Sequence, residues 1–450
     1  MVDKLVIRVY SVGVGDCIHV RIPAGRADGD DFHVLIDCGT RGKAAILKVA
    51  LDHLKTNLPE VNEKRRLDLL LISHEHEDHI KGMDAKWFSD VAIENLWMSA
   101  AMNRDHPQAK FKHKFHDEVA RAMRGIAARG LALSADLQDI VSRYSIANDG
   151  AIDALTNDLP AANNIKPLYV HAGLSADTLR PLTLGDVTFK ILGPQENIDY
   201  FYLGQGASEL VERLSLTGAA QTDAASKSTA RTSRAPSNIS GTDFERLKAR
   251  MMSSLFAFAE EEGEVVNNTS VMLLIEWRGR RLLFVGDAEW NSRFVDGRKN
   301  FAWNVAWNKH SDELGKPVDF LKVGHHGSTN STPWNDREDG KKTEPSEILE
   351  AILPIPVKGE KTKAQAVVST DRTKYDSIPK APLLVELGKR VSNTRRYGKV
   401  LDPNVIVGLP LFETHEKLWL DKSQPWRTDL ETVVTGQLYV EVTIDPIVAD

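Results

Sequence analysis

Residues 70–82 read LLISHEHEDHIKG, which sets three imidazoles (His74, His76, His79) and three carboxylates (Glu75, Glu77, Asp78) in one short stretch behind an apolar run. A solvated surface segment has no need of histidine at that density, whereas a metal site does. In an extended backbone His74 and His76, two residues apart, point to the same side and can share one ion. Asp78 and His79 come next and can serve a second ion beside it. Imidazole nitrogen suits zinc, and added carboxylate oxygen widens the choice to manganese or iron. Glu75 and Glu77 alternate with the histidines and point away from the metals, into solvent or a supporting shell.

Two distant stretches carry matching chemistry. LLFVGDAEW ends an apolar run at Asp287, and FLKVGHHGS ends another at His325 and His326. An aspartate at a strand end is, on its own, most often a turn or helix cap. A His-His pair in that place is harder to account for by packing, since burying both rings demands partners. The three strand ends together supply imidazoles and carboxylates in the proportions of a two-metal site, with Asp287 as the bridging carboxylate. Ser328 and Thr329 in GHHGST add hydroxyls and backbone amides able to hold a phosphate.

These residues need strands to carry them. KLVIRVYSV and CIHVRIP are β-rich segments joined by a turn at Gly13, Gly15 and Asp16, and FHVLIDCGT is a third strand ending at Asp37 and Gly39. ALDHLKTNL has helical spacing, and LDLLLIS is the continuous apolar run of a buried strand. The histidine-rich segment therefore follows directly on a core strand, where reactive groups tend to gather. Residues 104–146 show three- and four-residue apolar spacing and read as helices, before strand signals return in PLYVHAG and GDVTFKILGP. The tract over 217–242, rich in Ser, Thr and Ala, reads as a flexible insert. A helix, DFERLKARMMSSLFAFAEEE, leads into strands SVMLLIEW, RRLLFVGD and VDFLKVGHHG. QAVVST, a helix around PLLVELGKRV and a last strand, GQLYVEVTID, complete the pattern. Strands and helices alternate in both halves, so a layered α/β architecture is the expected class.

Composition sets the outer bounds. A chain of 450 residues can enclose a large core. Its net charge of -6 is mild and calls for neither nucleic acid nor membrane. The amino-terminal segment has no apolar signal core and reads directly as a strand. Two cysteines, Cys17 and Cys38, sit in neighbouring strands and suit a reducing cytosol better than a disulfide scaffold. A soluble cytoplasmic protein without a membrane partner is the expectation.

The order GVGDC, VLIDCG, SHEHEDHIKG, NNTSVMLLIEWRGRRLLFVGDAE, FLKVGHHGSTNST, VVS and GQLYVEV resembles the metallo-β-lactamase fold superfamily. Within it, the likeness is to the branch holding the metallohydrolase domain of competence DNA-uptake proteins and the phosphorylcholine esterases. That resemblance implies an αββα sandwich, here with a large helical insertion, and a metal site at the strand ends between the sheets. It divides the chain into a first half-domain over 1–100, a helical insertion over 101–165 and a β segment of the core over 166–200. A flexible linker and helix over 201–265, a second half-domain over 266–397, an insertion over 398–432 and a final core strand over 433–450 follow. The ligands it implies are His74, His76, Asp78, His79 and Asp287, with His325 or His326 as the last. The expectation takes His325 as ligand and leaves Asp78 and His326 as the catalytic pair. Asp37 matches a supporting aspartate. Where many members carry a histidine before the bridging aspartate, this chain has Asn267, Asn268 and Ser270, so water completes the first metal or the ion is held weakly. RTKYDSIPK, with Lys374 and Tyr375, lacks the imidazole that the competence domains carry there. His171 is a candidate to replace a missing ligand.

The cofactor expected is one or two divalent ions, zinc or manganese, and the reaction a hydrolysis by metal-activated water. Residues 104–129 hold Arg104, Lys110, Lys112, Lys114, Arg121, Arg124 and Arg129 against Asp105, Asp117 and Glu118. Residues 227–250 hold Lys227, Arg231, Arg234, Arg246, Lys248 and Arg250 against Asp243 and Glu245. Both surpluses suit an anionic substrate. The leading expectation is a phosphodiesterase or nuclease whose substrate is an anionic phosphodiester, nucleic acid included. The alternatives are a hydrolase of a small ester, lactone or phosphocholine-like group, and a degenerate metal-binding protein that meets partner proteins through the helical insertion.

Overall fold

The apolar runs read from the sequence form strands whose successive side chains face opposite ways, and that alternation determines the layers. The computed structural model describes residues 3–128, 130, 133–144, 146–179, 182, 184–214, 241–334, 341–357, 360, 362–370, 378–392 and 438–447. A seven-stranded sheet runs, in spatial order, β15 (Tyr439–Ile444), β1 (Leu5–Tyr10), β2 (Cys17–Ile22), β3 (Phe32–Cys38), β6 (Leu69–Ile72), β8 (Leu96–Ser99) and β9 (Leu168–Val170). A five-stranded sheet runs β10 (Val187–Gly193), β11 (Met272–Trp277), β12 (Arg280–Phe284), β13 (Phe320–Val323) and β14 (Gln365–Val368). A small third sheet joins β4 (Glu60–Val61), β5 (Lys64–Leu67) and β7 (Val91–Ile93).

The helices are α1 (Ala44–Thr56), α2 (Glu77–Ile80), α3 (Lys110–Ala128), α4 (Ala135–Ser142), α5 (Ile146–Asp153), α6 (Leu159–Asn163) and α7 (Ala176–Leu179). After them come α8 (Gly241–Asn268), α9 (Ala302–Leu314), α10 (Glu344–Ile352) and α11 (Ala381–Gly388). The fold is therefore mixed α/β. Parallel pairing of β3 with β6, β12 with β13 and β13 with β14 follows from helical crossovers, because parallel neighbours cannot be joined by a tight turn.

Three apolar clusters show how the layers meet. Between the two large sheets, Ile7, Val20, Val34, Ile36 and Leu71 pack with Phe189, Leu273, Ile275, Trp277 and Phe284. On the far side of the first sheet, Leu35, Leu70, Ile72 and Met98 meet Leu47, Leu51 and Leu54 of α1. On the far side of the second, Leu283, Leu321 and Val368 meet Trp303 of α9, Ile348 of α10 and Leu384 of α11. Each fully buried aliphatic side chain of this kind contributes about 1.5–3 kcal/mol, which makes the one-residue alternation costly to violate. A fourth cluster binds the insertion to the longest helix, through Phe115, Val119 and Met123 of α3 and Leu255, Phe256 and Ala259 of α8.

Differences from expectation are local. The helix read over DFERLKARMMSSLFAFAEEE continues through Asn268, so Asn267 and Asn268 end a helix and do not lead a strand. The flexible tract lies outside the described residues except for its last two, which begin α8, and so do the insertion over 398–432, Lys374 and Tyr375. Cys17 and Cys38 face each other across β2 and β3, both buried and free. Among the described residues no helix is long and apolar enough to cross a membrane.

Candidate metal centre

The side chains singled out for metal chemistry sit at or after the carboxyl end of a strand. Asp37 closes β3, Ser73 and His74 follow β6, Asp287 follows β12, and His325 and His326 follow β13. Open sheets of this kind expose backbone and side chains at those ends, which is where ligands bind. Two glycines let the ends approach. A Cβ on Gly39 would lie 2.2 Å from Asp78 C and His79 N, so the end of β3 touches the ligand loop only without a side chain. Gly286, with φ +53, adopts a left-handed conformation, and a Cβ there would sit 2.9 Å from the Cβ atoms of Ser73 and Ser270.

Four ligand atoms, one each from Asp78, His79, Asp287 and His326, lie within 4.8 Å of one another, and all four residues are buried. His79 donates Nδ1–H to Asp37 Oδ2 at 2.8 Å, and its Nε2 lies 3.2 Å from Asp287 Oδ1. His326 donates Nδ1–H to the carbonyl of Ser369 at 2.8 Å, and its Nε2 lies 3.3 Å from Asp78 Oδ2. Both Nε2 atoms are buried without a hydrogen-bond partner. An imidazole held at one nitrogen by a carboxylate or carbonyl, with the other nitrogen bare, is the arrangement of a metal ligand with its orienting partner.

The electrostatics ask for a cation at the same spot. Burial pushes the Asp78 carboxyl up, but Arg41, His79 and His326 outweigh it and hold it well below the usual range. Asp287 is likewise raised by burial and lowered further by His79, His326 and His325, ending well below. Burial lowers His79, yet the carboxylates of Asp287 and Asp37 on its two sides hold it well above the ordinary histidine value. Two ionised carboxylates with an imidazole wedged between carboxylates make a spot that would suit a divalent cation. The donor set of two imidazoles and two carboxylates fits zinc, manganese or iron.

A pair of histidines adjoins this cluster. His74 Nε2 and His76 Nδ1 are 3.0 Å apart, close to the roughly 3.3 Å that separates two nitrogens on one tetrahedral zinc at 2.0–2.1 Å bonds. His74 Nε2 also lies 3.9 Å from Asp287 Oδ2. Burial lowers both rings, His74 well below its ordinary value and His76 to about 4, which keeps them neutral and available. A third imidazole, His79, packs against His74 with ring centroids 4.1 Å apart, but its Nε2 is turned to Asp287 Oδ1. His171 instead has its Nδ1 on the Ala172 carbonyl and its ring edge against His106.

The His-His pair is placed the other way round from the expectation. His325 and His326 both take positive φ, at 40° and 50°, inside one tight turn. Consecutive left-handed residues send their side chains apart. His326 enters the cluster, while His325, expected as the ligand, turns its Nδ1 to Glu289 Oε1 at 2.9 Å. Burial lowers His325, but Asp287 and Glu289 more than reverse that and raise it. Glu289 is itself gripped by Asn267 Nδ2 at 3.1 Å and Asn268 Nδ2 at 3.0 Å.

Several residues around the cluster were not anticipated. Lys322 is fully buried, and its ammonium lies 2.9 and 3.0 Å from the two carboxylate oxygens of Asp16, tying the first sheet to the second beside His326. Burial would raise Asp16, and Lys322 brings it below its ordinary value. Ser369 donates its hydroxyl to Asp16 while its carbonyl holds His326. Arg41 donates Nε–H to Asp78 Oδ2 at 2.7 Å from a side chain that is 22% exposed, at the mouth of the cluster. Lys322 had a signal in sequence, a lone charge inside an apolar strand. Arg41 and Glu289 had none beyond nearness to a motif.

Glu75 is buried against Lys112, whereas Glu77 forms an ion pair with Lys81 at 2.7 Å. Two carboxylates outside residues 104–129, Glu75 and Asp149, pair with Lys112 and Arg124 and reduce the positive surplus of the insertion. Arg104 pairs with Asp117, Arg121 with Glu118 and Arg124 with Asp149. Arg129 and the basic residues at 227, 231 and 234 lie outside the described residues. Ser328 is half-buried, with Oγ 3.1 Å from His325 Nδ1, and Thr329 is exposed.

No family model and no curated protein matches the chain. Among solved structures it is similar to CmlA, a diiron β-hydroxylase from Streptomyces venezuelae, at 14% identity over 78% of this chain and 43% of that one, with a TM-score of 0.30. A mutant of the same β-hydroxylase matches at 13% identity, 78% and 44% coverage, and a TM-score of 0.30. The chain spans less than half the length of these proteins, and so loose a superposition bears on neither its fold nor its chemistry.

Proposed function

We propose that this chain is a metal-dependent hydrolase of phosphodiesters, with an αββα sandwich of the metallo-β-lactamase type. The observation that carries the reading is the pair of orphaned nitrogens, His79 Nε2 and His326 Nε2, buried beside Asp78 and Asp287. Support for the sandwich comes from the three stacked apolar clusters, helix on sheet, sheet on sheet and sheet on helix. Asp78, His79, Asp287 and His326 would hold one ion, and His74, His76 and Asp287 a second, zinc or manganese by donor type. When bound, such ions polarise a substrate oxygen and bring the pKa of water towards neutrality.

The protein's own groups then have separate tasks. Asp37 and the Ser369 carbonyl orient two imidazoles so that their bare nitrogens converge. Arg41 and His325 place positive charge at the mouth, where the developing negative charge of a phosphoryl group would lie. His325, engaged at Nδ1 by Glu289, keeps its other ring nitrogen for a proton to the leaving oxygen. Two free, buried thiols suit a reducing compartment such as the cytosol.

The test compares wild type with an Asp78→Ala, His79→Ala double variant. Bound metal is measured by elemental analysis, and bis(p-nitrophenyl) phosphate, single-stranded DNA and a simple carboxylic ester are assayed with added zinc and manganese. Metal-dependent diester cleavage that vanishes in the variant is the expected result. Ester cleavage alone would shift the reading to a small-ester hydrolase. A metal-free protein inert on all three would end it.

A further inference from the structure

We propose that the helical insertion is a positioning device for the metal pair, with Lys112 and Asn148 clamping Glu75 so that His74 and His76 face one ion; this rests on the metal reading above. The His74–His76 position needs such help. The residues that could have supplied a third ligand are occupied elsewhere. Asn267 and Asn268 give their amides to Glu289, while Ser270 Oγ accepts from Asp287 N and sits 3.2 Å from His74 Nδ1, the ring nitrogen that does not meet His76. Two imidazoles and a shared carboxylate bind an ion well only if their directions are set in advance.

Glu75 is the residue through which that is done. It lies between the two histidines and alternates to the opposite side, where its carboxylate takes the ammonium of Lys112 from α3. Lys112 is 2% exposed and also donates to the Ala101 carbonyl at 3.3 Å. The main-chain carbonyl of Glu75 accepts from Asn148 Nδ2 of α5 at 3.1 Å. One residue is thus fixed by side chain and by backbone from two different inserted helices. The first turn of α3 is anchored in turn, since Asp199 accepts from the backbone N–H groups of Phe111 and Lys112 at 2.9 Å each. Rotating the peptide that carries His74 and His76 would break a buried ion pair, and breaking one is among the costlier local changes a protein can make.

The same network contains Glu75, His116 and Glu262 with ligand atoms close enough for an ion of their own. Their partners argue against that use. Lys112 already takes Glu75, while His116 Nδ1 and the Tyr144 hydroxyl take Glu262 at 2.8 and 2.7 Å. A further cation would have to evict a resident one.

The test is a titration of the apo protein with zinc and with manganese by calorimetry, in wild type, Lys112→Met and Asn148→Ala. Asn148→Ala removes a single bond from a partly exposed side chain and keeps the test valid should Lys112→Met misfold. Two ions are expected in wild type, one of them weakened about 10–100-fold in the variants while the other is unchanged. Repeating the titration in a His326→Ala background, which leaves the His74–His76 position, identifies the weakened ion. Unchanged affinities in Asn148→Ala would overturn the inference whatever Lys112→Met does. A single ion in wild type would overturn it and leave the hydrolase reading standing. No ion at all would overturn both.

Discussion

Two buried clusters of ionisable groups lie on opposite sides of the His74–His76 segment and settle their charge differently. On one side Glu75 has the ammonium of Lys112, and Glu262 has His116 and the hydroxyl of Tyr144. On the other side Asp78 and Asp287 share two imidazoles whose Nε2 atoms make no hydrogen bond, with Arg41 donating Nε–H to Asp78 Oδ2. Buried carboxylates are tolerated when a cation sits among them, and that cation can be built in or borrowed. The first cluster is closed and structural. The second is open, and it asks for an ion.

The contrast breaks most visibly when the borrowed cation is removed. With free metal a thousandfold above its Kd, stripping the ion with a chelator should cost about 4 kcal/mol of stability, read as a fall in melting temperature. A melting temperature indifferent to chelator would make the two clusters alike. Lys112→Met should come next, at about 3–5 kcal/mol by urea unfolding, because it leaves Glu75 buried and unpaired. The Asp78, His79, Asp287 and His326 position should keep its ion in that variant. If urea unfolding shows less than about 1 kcal/mol, the closed cluster is solvated after all and resembles an exposed ion pair.

Finer cuts sharpen the open side. Asp37→Ala should weaken metal binding about 10–100-fold, since it removes the acceptor that orients His79. His326→Ala should lower the metal content where His325→Ala does not, and equal losses would restore the order expected from sequence. The smallest effect concerns a histidine pair with no carboxylate between its rings. His19 Nε2 lies 3.1 Å from His33 Nδ1, and burial, with Arg66 and other nearby positive charges, lowers His33 to about 4. The unfolded chain then binds more protons than the folded one between about pH 6.5 and 4, so stability is full above that window and falls as pH drops through it. His33→Phe should remove about 1 kcal/mol of the loss seen between pH 7 and pH 5.5, measured by melting curves.

Much of the centre was legible because its residues sit where apolar runs stop. Asp37, His74, Asp287 and the His325–His326 pair all mark strand ends, and a run such as LDLLLIS announces its own end without help from distant sequence. The direction of a ring is another matter. His326 faces the cluster because the Ser369 carbonyl, from another strand, takes its Nδ1, and His325 faces out because Glu289 takes its own. The basic run of the insertion looked like a substrate footprint until Glu75 and Asp149, from outside that run, were seen beside Lys112 and Arg124.

The sequence by itself determined which side chains are available for a metal, and that they lie at strand ends in a layered α/β chain, because residue type and local period are short-range properties. Tertiary structure alone decided which imidazole of the pair enters, which carboxylates are neutralised from within and which need an ion. Those outcomes depend on partners drawn from β1–β2, β14 and the inserted helices. Only packing brings such distant segments within hydrogen-bond reach, and burial then makes every unmatched charge count.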